Sequence, residues 1–479
     1  MSSAEPGGRA PMPLAGGVAA LRGVLARPLA SYYLLVSSAG LLLVIGLTMV
    51  FSATSVKAYA EDGNAFAAVS RQAVYALVGI VGFWVCQRLP ARTFRFLGYP
   101  LLVVTFGGLI LLDLLLVLKA FRVLPEARLG PIYADELWLH LGPAQIQPSE
   151  FAKFALLLWG ADVLARKGTA IVQWRALTRP LFLAVGLLFV LVGYNDFGSL
   201  VVLLALFVGM LWAAGVRLRV FAAMAGIGAV GLAALLALPG KSGYRLERLT
   251  SFSADPTVCG LRDCYQAVQA QYAIADGGWF GVGLGKASLK WGWLPAGHND
   301  FIFAIVAEEL GFVGCTVVLA LLGVFAYTGL RIARRVADPF RRLAAAAAIS
   351  WLVAQAFINI GGVIGLLPIT GVPLPFISDG GSALVVTLAA VGMLASFARA
   401  EPDAARALHA RPARGWVRIL WAPLPPLGES GPAAPPRAPR PPRPTSGRSP
   451  AGTSRRGEAP VGAPRRQPPR GGAGRERSR

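Results

Sequence analysis

Ionisable side chains embedded in apolar stretches are costly in hydrocarbon and mark sites of use, and this 479-residue chain places several of them at helical spacing. The first group is Gln147-Pro148-Ser149-Glu150 with Lys153. Proline suits the first turn of a helix, and Glu150 and Lys153 lie one turn apart, able to pair. The group reads either as a helix start closed by an ion pair or as a polar wall lining a cavity. The second runs from Leu294 to Gly314, LPAGHNDFIFAIVAEELGFVG. Asp300 stands where a loop meets a span, beside His298, with Glu308 and Glu309 two turns deeper. Its carboxylate could cap the helix; the same placement is how a base of raised pKa is built. Glu308 and Glu309 each need a partner inside the span. Asp113, in mid-span, suits the interior of a bundle, and Asp196 suits a helix cap.

Cations form the third group. Arg245, Arg248, Lys286 and Lys290 fall in the longest connection of the apolar region. Arginine and lysine are natural partners of a pyrophosphate, although ion pairs with Asp255 and Asp263 would use them equally well. Cys259 and Cys264 in that loop could close a small disulfide or remain thiols, while Cys86 and Cys315 lie in spans as packing residues. The three His and four Cys show no metal-ligand spacing.

The elements that position these residues are transmembrane helices. The chain is 55% hydrophobic and 15% charged, and apolar runs of roughly 17–25 residues, the length that crosses a bilayer core, recur along it. That excludes a water-soluble fold. Spans are expected near 31–53, 72–89, 97–118, 149–165, 180–194, 197–214, 219–238, 302–329, 343–366 and 380–399. Arginines and lysines at 22–27, 88–95, 166–175, 217–219 and 331–342 then all fall on one side, which the positive-inside rule makes cytoplasmic. The expected fold is an all-α integral membrane protein of about ten transmembrane helices, both termini cytoplasmic. The two long outer loops are 119–148 and 239–301, the second lying between the seventh and eighth helices. Trp279, Phe280, Trp291 and Trp293 in that loop suit packing on the membrane surface.

The net charge of +22 would suggest nucleic acid, but residues 430–479 hold twelve Arg against two Glu, a net of +10, and much of the rest sits in the cytoplasmic loops. No nucleic-acid partner is expected. The first apolar run lacks a small-residue cleavage site and reads as the first span. Richness in Ala, Gly, Pro and Arg points to a GC-rich genome and a bacterial inner membrane. Three regions follow: a cytoplasmic segment 1–30, a membrane domain 31–400, and a tail 401–479. Residues 401–420 could form a short amphipathic helix. From Pro423 the Pro-, Arg- and Gly-rich tail cannot bury enough apolar surface to fold, and its arginines could bind anionic lipid or a partner, or simply be solvated.

Read together, five ordered motifs resemble the SEDS family (shape, elongation, division and sporulation) of peptidoglycan glycosyltransferases. They are QPSE-xx-K at 147–153, YRLER at 244–248, YQAVQAQYAIADGGWFGVGLG at 265–285, LPAGHNDFIFAIVAEELGFVG at 294–314 and LLPITGVPLPFISDGGS at 366–382. The chain is more similar to the family's cell-division, FtsW-like branch than to its elongation, RodA-like branch. The resemblance implies polymerisation of lipid II at the outer face of the inner membrane, at the division septum. It implies as partners a class B penicillin-binding protein, the transpeptidase, and other divisome proteins. The family's essential aspartate maps onto Asp300, and the tryptophan ahead of QPSE onto Trp138. Trp138, Glu150, Lys153, Arg245, Arg248, Lys286 and His298 are the expected substrate-binding residues. No cofactor is expected with certainty; a divalent cation such as magnesium could share the pyrophosphate charge. The chain departs from the family pattern at Asn195, where proline is usual, and at Ala296 and Asp379. A lipid II flippase or transporter and a non-catalytic divisome scaffold are the competing readings, and the outer placement of Asp300 and the basic loop residues argues for the polymerase.

Overall fold

The computed structural model describes residues 23, 25–124, 127–142, 144–168, 178–237, 265–288, 299–410 and 423–425. Within them, every segment expected to span is helical. The order is α1 (Ala30–Asp62), α2 (Ala67–Cys86), α3 (Ala91–Ala120), α4 (Pro148–Lys167), α5 (Leu183–Asn195), α6 (Phe197–Ala213), α7 (Leu218–Ala237), α8 (Tyr265–Gly277), α9 (Ile302–Arg335), α10 (Pro339–Val363), α11 (Gly381–Arg399) and α12 (Pro402–Ala410). Local chemistry sets several ends. Pro148 and Pro339 occupy first turns, the Asp196 carboxylate accepts from Ser199 N–H at 2.8 Å to start α6, and Asp338 accepts from Phe340 N–H at 3.2 Å to start α10.

Six of these helices, α1, α2, α3, α9, α10 and α11, are long and apolar enough to cross a membrane, and α5, α6 and the first part of α7 are shorter apolar helices. The protein is a multi-pass membrane protein. α10 and α11 form its centre: 72% and 78% of their most apolar windows are buried, against 17% for α2 and α9. α10 packs on α4, α6, α8 and α9, while α11 packs on α2, α1 on α9, and α3 on α4. The outlying helices turn Val74, Leu77, Val81, Phe96 and Val104 outward, a continuous apolar surface that only hydrocarbon accommodates.

Three features correct the expectation of an all-α bundle with plain loops. Residues 119–148 hold a four-stranded antiparallel meander, β1 (Arg128–Leu129), β2 (Ile132–Asp135), β3 (Trp138–Leu141) and β4 (Ala144–Ile146). The cause is a period of two: Ala134 and Leu139 face α3 and bury against Leu112 and Leu115, while Tyr133, Asp135, Trp138 and His140 alternate to the other face. Secondly, the connection 239–301 contains α8, whose Ala267, Ala270 and Ala273 are buried. Thirdly, α9 is interrupted at Gly311, with φ 67° and ψ −166°. Across that break the turn 278–283 docks by backbone: Val282 and Gly283 N–H donate to Glu308 and Glu309 carbonyls, and Phe312 and Val313 N–H donate to Gly278 and Trp279 carbonyls, all at 2.9–3.1 Å. The approach is so close that a Cβ on Gly281 would lie 2.1 Å from the Glu309 carbonyl oxygen.

The two acids just before the break are buried and engaged locally. Glu308 accepts from Ser288 N–H (2.6 Å) and Oγ (2.8 Å), and Glu309 accepts from Ser52 Oγ of α1 at 2.7 Å. At the opposite end of the bundle α12 occupies the first half of the expected amphipathic helix. Glu401, whose carboxyl burial pushes above its usual range, pairs there with Arg335 at 3.2 Å.

Replacing Gly281 by alanine combines a left-handed φ of 79° with that backbone clash. We expect a loss of about 2–4 kcal/mol, read as a lowered melting temperature in detergent. Gly186→Ala, in α5 with open space at its Cβ, is the control and should leave melting unchanged or raise it.

Candidate active site

Two amide side chains inside an apolar span organise the site. Gln355 and Asn359 are one turn apart on α10 and both are buried. Asn359 Nδ2 donates to two carbonyls at once, those of Asp300 and Val372, each at 2.8 Å. Gln355 Nε2 donates to the Pro373 carbonyl at 2.9 Å, and its Oε1 accepts from Trp351 Nε1 at 2.7 Å. They clamp the irregular segment 364–380 between α10 and the start of α9. Ser378 completes the clamp: its Oγ donates to the Asn299 carbonyl (2.6 Å) and accepts from Leu374 N–H (2.8 Å), and its own carbonyl accepts from Gln72 Nε2 of α2 at 3.2 Å.

From Val372 to Ser378 this non-helical backbone is largely buried, and protein groups replace the missing water. Its packing is tight: a Cβ on Gly46 of α1 would lie 2.4 Å from the Phe376 carbonyl oxygen. Phe376 itself is buried and held at φ 69°, a strained conformation for an aromatic residue that the surrounding clamp sustains. Asp300 is thereby fixed by its own backbone, and its carboxylate lies at a small pocket lined by Asn359, Gly362, Ile369, Thr370 and Gly371. The Oδ2 atom is 3.8 Å from where a Cβ on Gly371 would sit, so this glycine lines the pocket directly against the carboxylate.

The QPSE group meets the same helix, α10. Lys153 Nζ pairs with Glu150 Oε1 at 2.6 Å, with both side chains no more than 1% exposed. The ammonium also lies 5.9 Å from the centroid of the Trp351 ring, a cation–π contact that joins α4 to the Trp351–Gln355 pair. Asp196 gathers three donors: Ser199 N–H, Ser149 Oγ at 2.9 Å and Gln147 Nε2 at 3.1 Å. Gln147 N–H donates to Ser382 Oγ at the start of α11, at 3.3 Å. Helix starts of α4, α6 and α11 are therefore tied at one point, four residues from Ser378 and its bond to Asn299.

Of the expected site residues, Glu150 and Lys153 pair with each other beside Trp351, and Asp300 is held by Asn359 two turns further along the same helix. Glu150 and Lys153 are completely buried, and each is the other's ion-pair partner. Trp138 begins β3, partly exposed, on the sheet that leads into Gln147. Lys286 is exposed in the connection after α8. Arg245, Arg248 and His298 lie outside the described residues, as do Lys290, Asp255, Asp263, Trp291, Trp293, Cys259 and Cys264. Trp279 and Phe280 are largely exposed, with Trp279 edge-on to Phe312 at 5.2 Å. Among the described residues, no three His, Cys, Asp or Glu side chains are grouped to hold a metal ion.

Two residues treated apart in the sequence meet here. Asn195 Nδ2 donates to Asp113 Oδ1 at 2.5 Å, joining α5 to α3. A proline at 195 would supply no such donor. Gln355, Asn359 and Ser378 were missed because each is an ordinary polar residue; the available signal was a pair of amides at i, i+4 within an apolar run, where an amide needs a partner.

These features define a membrane-embedded bundle with Asp300 held at one end by a clamped, non-helical loop. The chain belongs to the FtsW/RodA/SpoVE family of cell cycle proteins, whose model matches residues 32–402. It is 41% identical over 406 residues to a probable peptidoglycan glycosyltransferase FtsW of Mycobacterium tuberculosis, covering 84% of this chain and 74% of that one. It is 36% identical over 363 residues to the stage V sporulation protein E of Bacillus subtilis, covering 75% and 94%. Among solved structures it resembles the rod shape determining protein RodA of Thermus thermophilus, with TM-score 0.53 and 26% identity over 77% of this chain and 96% of that one. It also resembles a chain of a peptidoglycan synthase complex that coordinates polymerization and crosslinking, with TM-score 0.58, 26% identity and coverage of 76% and 96%.

Substituting Asn359 by leucine, close to it in size, leaves two buried carbonyls without their shared donor. The expected cost is about 2–4 kcal/mol, against about 1 kcal/mol for Ile358→Val, which removes one buried methylene. Thermal unfolding of the purified variants in detergent separates the two.

Proposed function

We propose that the chain is a peptidoglycan glycosyltransferase that polymerises lipid II at the outer face of the bacterial inner membrane during division, with Asp300 as its essential acid. The observation that carries this reading is the clamp: Asn359 and Ser378 hold the Asn299–Asp300 backbone so that one carboxylate meets a pocket at a bundle end, in a chain of the FtsW/RodA/SpoVE family. Ten spans, both termini cytoplasmic, put that end outside, with 31–400 as the membrane domain and 401–479 as a cytoplasmic tail.

The chemistry asks little more. The 4-hydroxyl of an acceptor GlcNAc attacks C1 of a donor MurNAc, the C1–O bond to undecaprenyl pyrophosphate breaks, and configuration at C1 inverts. Asp300 accepts the hydroxyl proton as the new C–O bond forms. The leaving pyrophosphate keeps the electron pair, and cations offset its charge. Lys286 suits that task by its exposure, joined by Arg245, Arg248 and His298 from the same connection and by a divalent cation such as magnesium. Trp138 contributes a ring for the saccharide. Glu150 and Lys153 act by holding α4 against Trp351. A class B penicillin-binding protein is the expected partner at the septum, with other divisome proteins around it, as the likeness to a peptidoglycan synthase complex suggests.

The break in α9 favours transport as the second reading, since discontinuous helices build transporter sites. Yet the acids at that break are engaged with Ser288 and Ser52, whereas Asp300 faces the pocket.

Lipid II polymerisation by the purified protein with its transpeptidase, comparing wild type with Asp300→Asn, tests the proposal. Wild type should yield glycan strands, and the variant should lose about 100-fold or more in rate while melting as wild type does. Absence of strands from wild type, with the complex intact and a related enzyme active alongside, would favour transport or scaffolding.

A further inference from the structure

The sheet β1–β4 has two unlike faces, and only one packs on α3. Ala134, Leu139 and Ile132 are spent on α3. The opposite face carries Arg128, Tyr133, Asp135, Trp138, His140 and Gln145, and the strand register sets them in two rows. Arg128 pairs with Tyr133, Tyr133 with His140, and His140 with Gln145, a continuous row across all four strands; Asp135 pairs with Trp138 beside it. The Tyr133 and His140 rings lie flat on one another, 4.0 Å between centroids and 6° from parallel. All six positions on this face are aromatic or hydrogen-bonding, and Tyr133 and Arg128 are exposed.

Flat rings flanked by carboxylate, amide and guanidinium suit a saccharide, whose C–H faces lie on rings while its hydroxyl and acetamido groups take hydrogen bonds. Four strands spaced about 4.8 Å apart make the row roughly 14 Å long, long enough for an oligosaccharide. Its position supplies a direction. Gln145, at one end, is two residues from Gln147, which bonds Ser382; Ser378, four residues earlier, bonds Asn299 next to Asp300. The row therefore runs from the joint of helix starts at Gln147 out to Arg128.

We propose that this face is a track for the growing glycan strand, holding its most recent sugars so that the enzyme adds units without letting go. This rests on the polymerase reading above and adds to it a product-binding subsite with Tyr133 and His140 at its centre.

Product length measures the track, because length follows the time a strand stays bound. In the full-length protein with its transpeptidase, Tyr133→Ala combined with His140→Ala should shorten glycan strands about fivefold, the effect of losing one stacking surface. The KM for lipid II and the initial rate should hold, and Tyr133→Trp alone should preserve length. Unchanged lengths in the double variant would overturn the track. A raised KM with unchanged lengths would do so too, because the face would then read the lipid II headgroup. Saturation-transfer NMR with a soluble GlcNAc–MurNAc tetrasaccharide provides a readout independent of turnover: signal from wild type and its loss in the double variant support the track, and equal signals from both refute it. If wild type makes no strands, the polymerase reading fails and that binding experiment alone decides the saccharide face.

Discussion

A polar backbone inside an apolar medium has no water to turn to, and each unmet carbonyl or N–H is costly there. The protein nevertheless carries a long non-helical segment, 364–380, between its helices. Asn359, Gln355 and Ser378 make this affordable by bonding carbonyls and N–H groups that helices would otherwise have paired internally. Because Asn359 bonds Asp300 and Val372 together, the device that satisfies the loop is the one that positions the acid. Stability of the loop and geometry of the site are a single arrangement.

The same economy recurs at the helix starts. Asp196 caps α6 and in doing so gathers Gln147 and Ser149 of α4, while Gln147 reaches Ser382 of α11. Buried charges in this protein are therefore joints between elements. The Glu150–Lys153 pair belongs with them: a buried ion pair is weak support for stability in itself, since desolvation offsets attraction, but through Trp351 it sets how α4 meets α10. Breaking one member would leave the other uncompensated.

Backbone contact does comparable work at Gly311. There α9 gives up its own hydrogen bonds and exchanges them with 278–283, and glycine on both sides lets main chains approach as side chains would forbid. The connection after α8 is thus built into the bundle rather than laid upon it, and Lys286 and Ser288 arrive at defined places as a result.

Much of this could be read from the chain alone. Hydrophobic run length, loop arginines and proline or aspartate at helix starts located every helix that the structure describes among the expected spans, because those signals are local and repeat along the sequence. Asp300, Glu150, Lys153 and Asp196 declared themselves as charges in apolar surroundings. What the chain could not reveal was partnership across distance: Asn195 with Asp113, Asn359 with the Asp300 carbonyl, Ser52 with Glu309. Such bonds depend on which helices pack together, and sequence spacing is silent about residues tens to hundreds of positions apart. The meander at 128–146 went unread because its strands are two to four residues long, too short for alternation to stand out. The break at Gly311 was hidden because a lone glycine inside a helical run does not by itself mark an interruption. Local physics wrote the elements into the sequence; only their packing in three dimensions decided which polar groups meet.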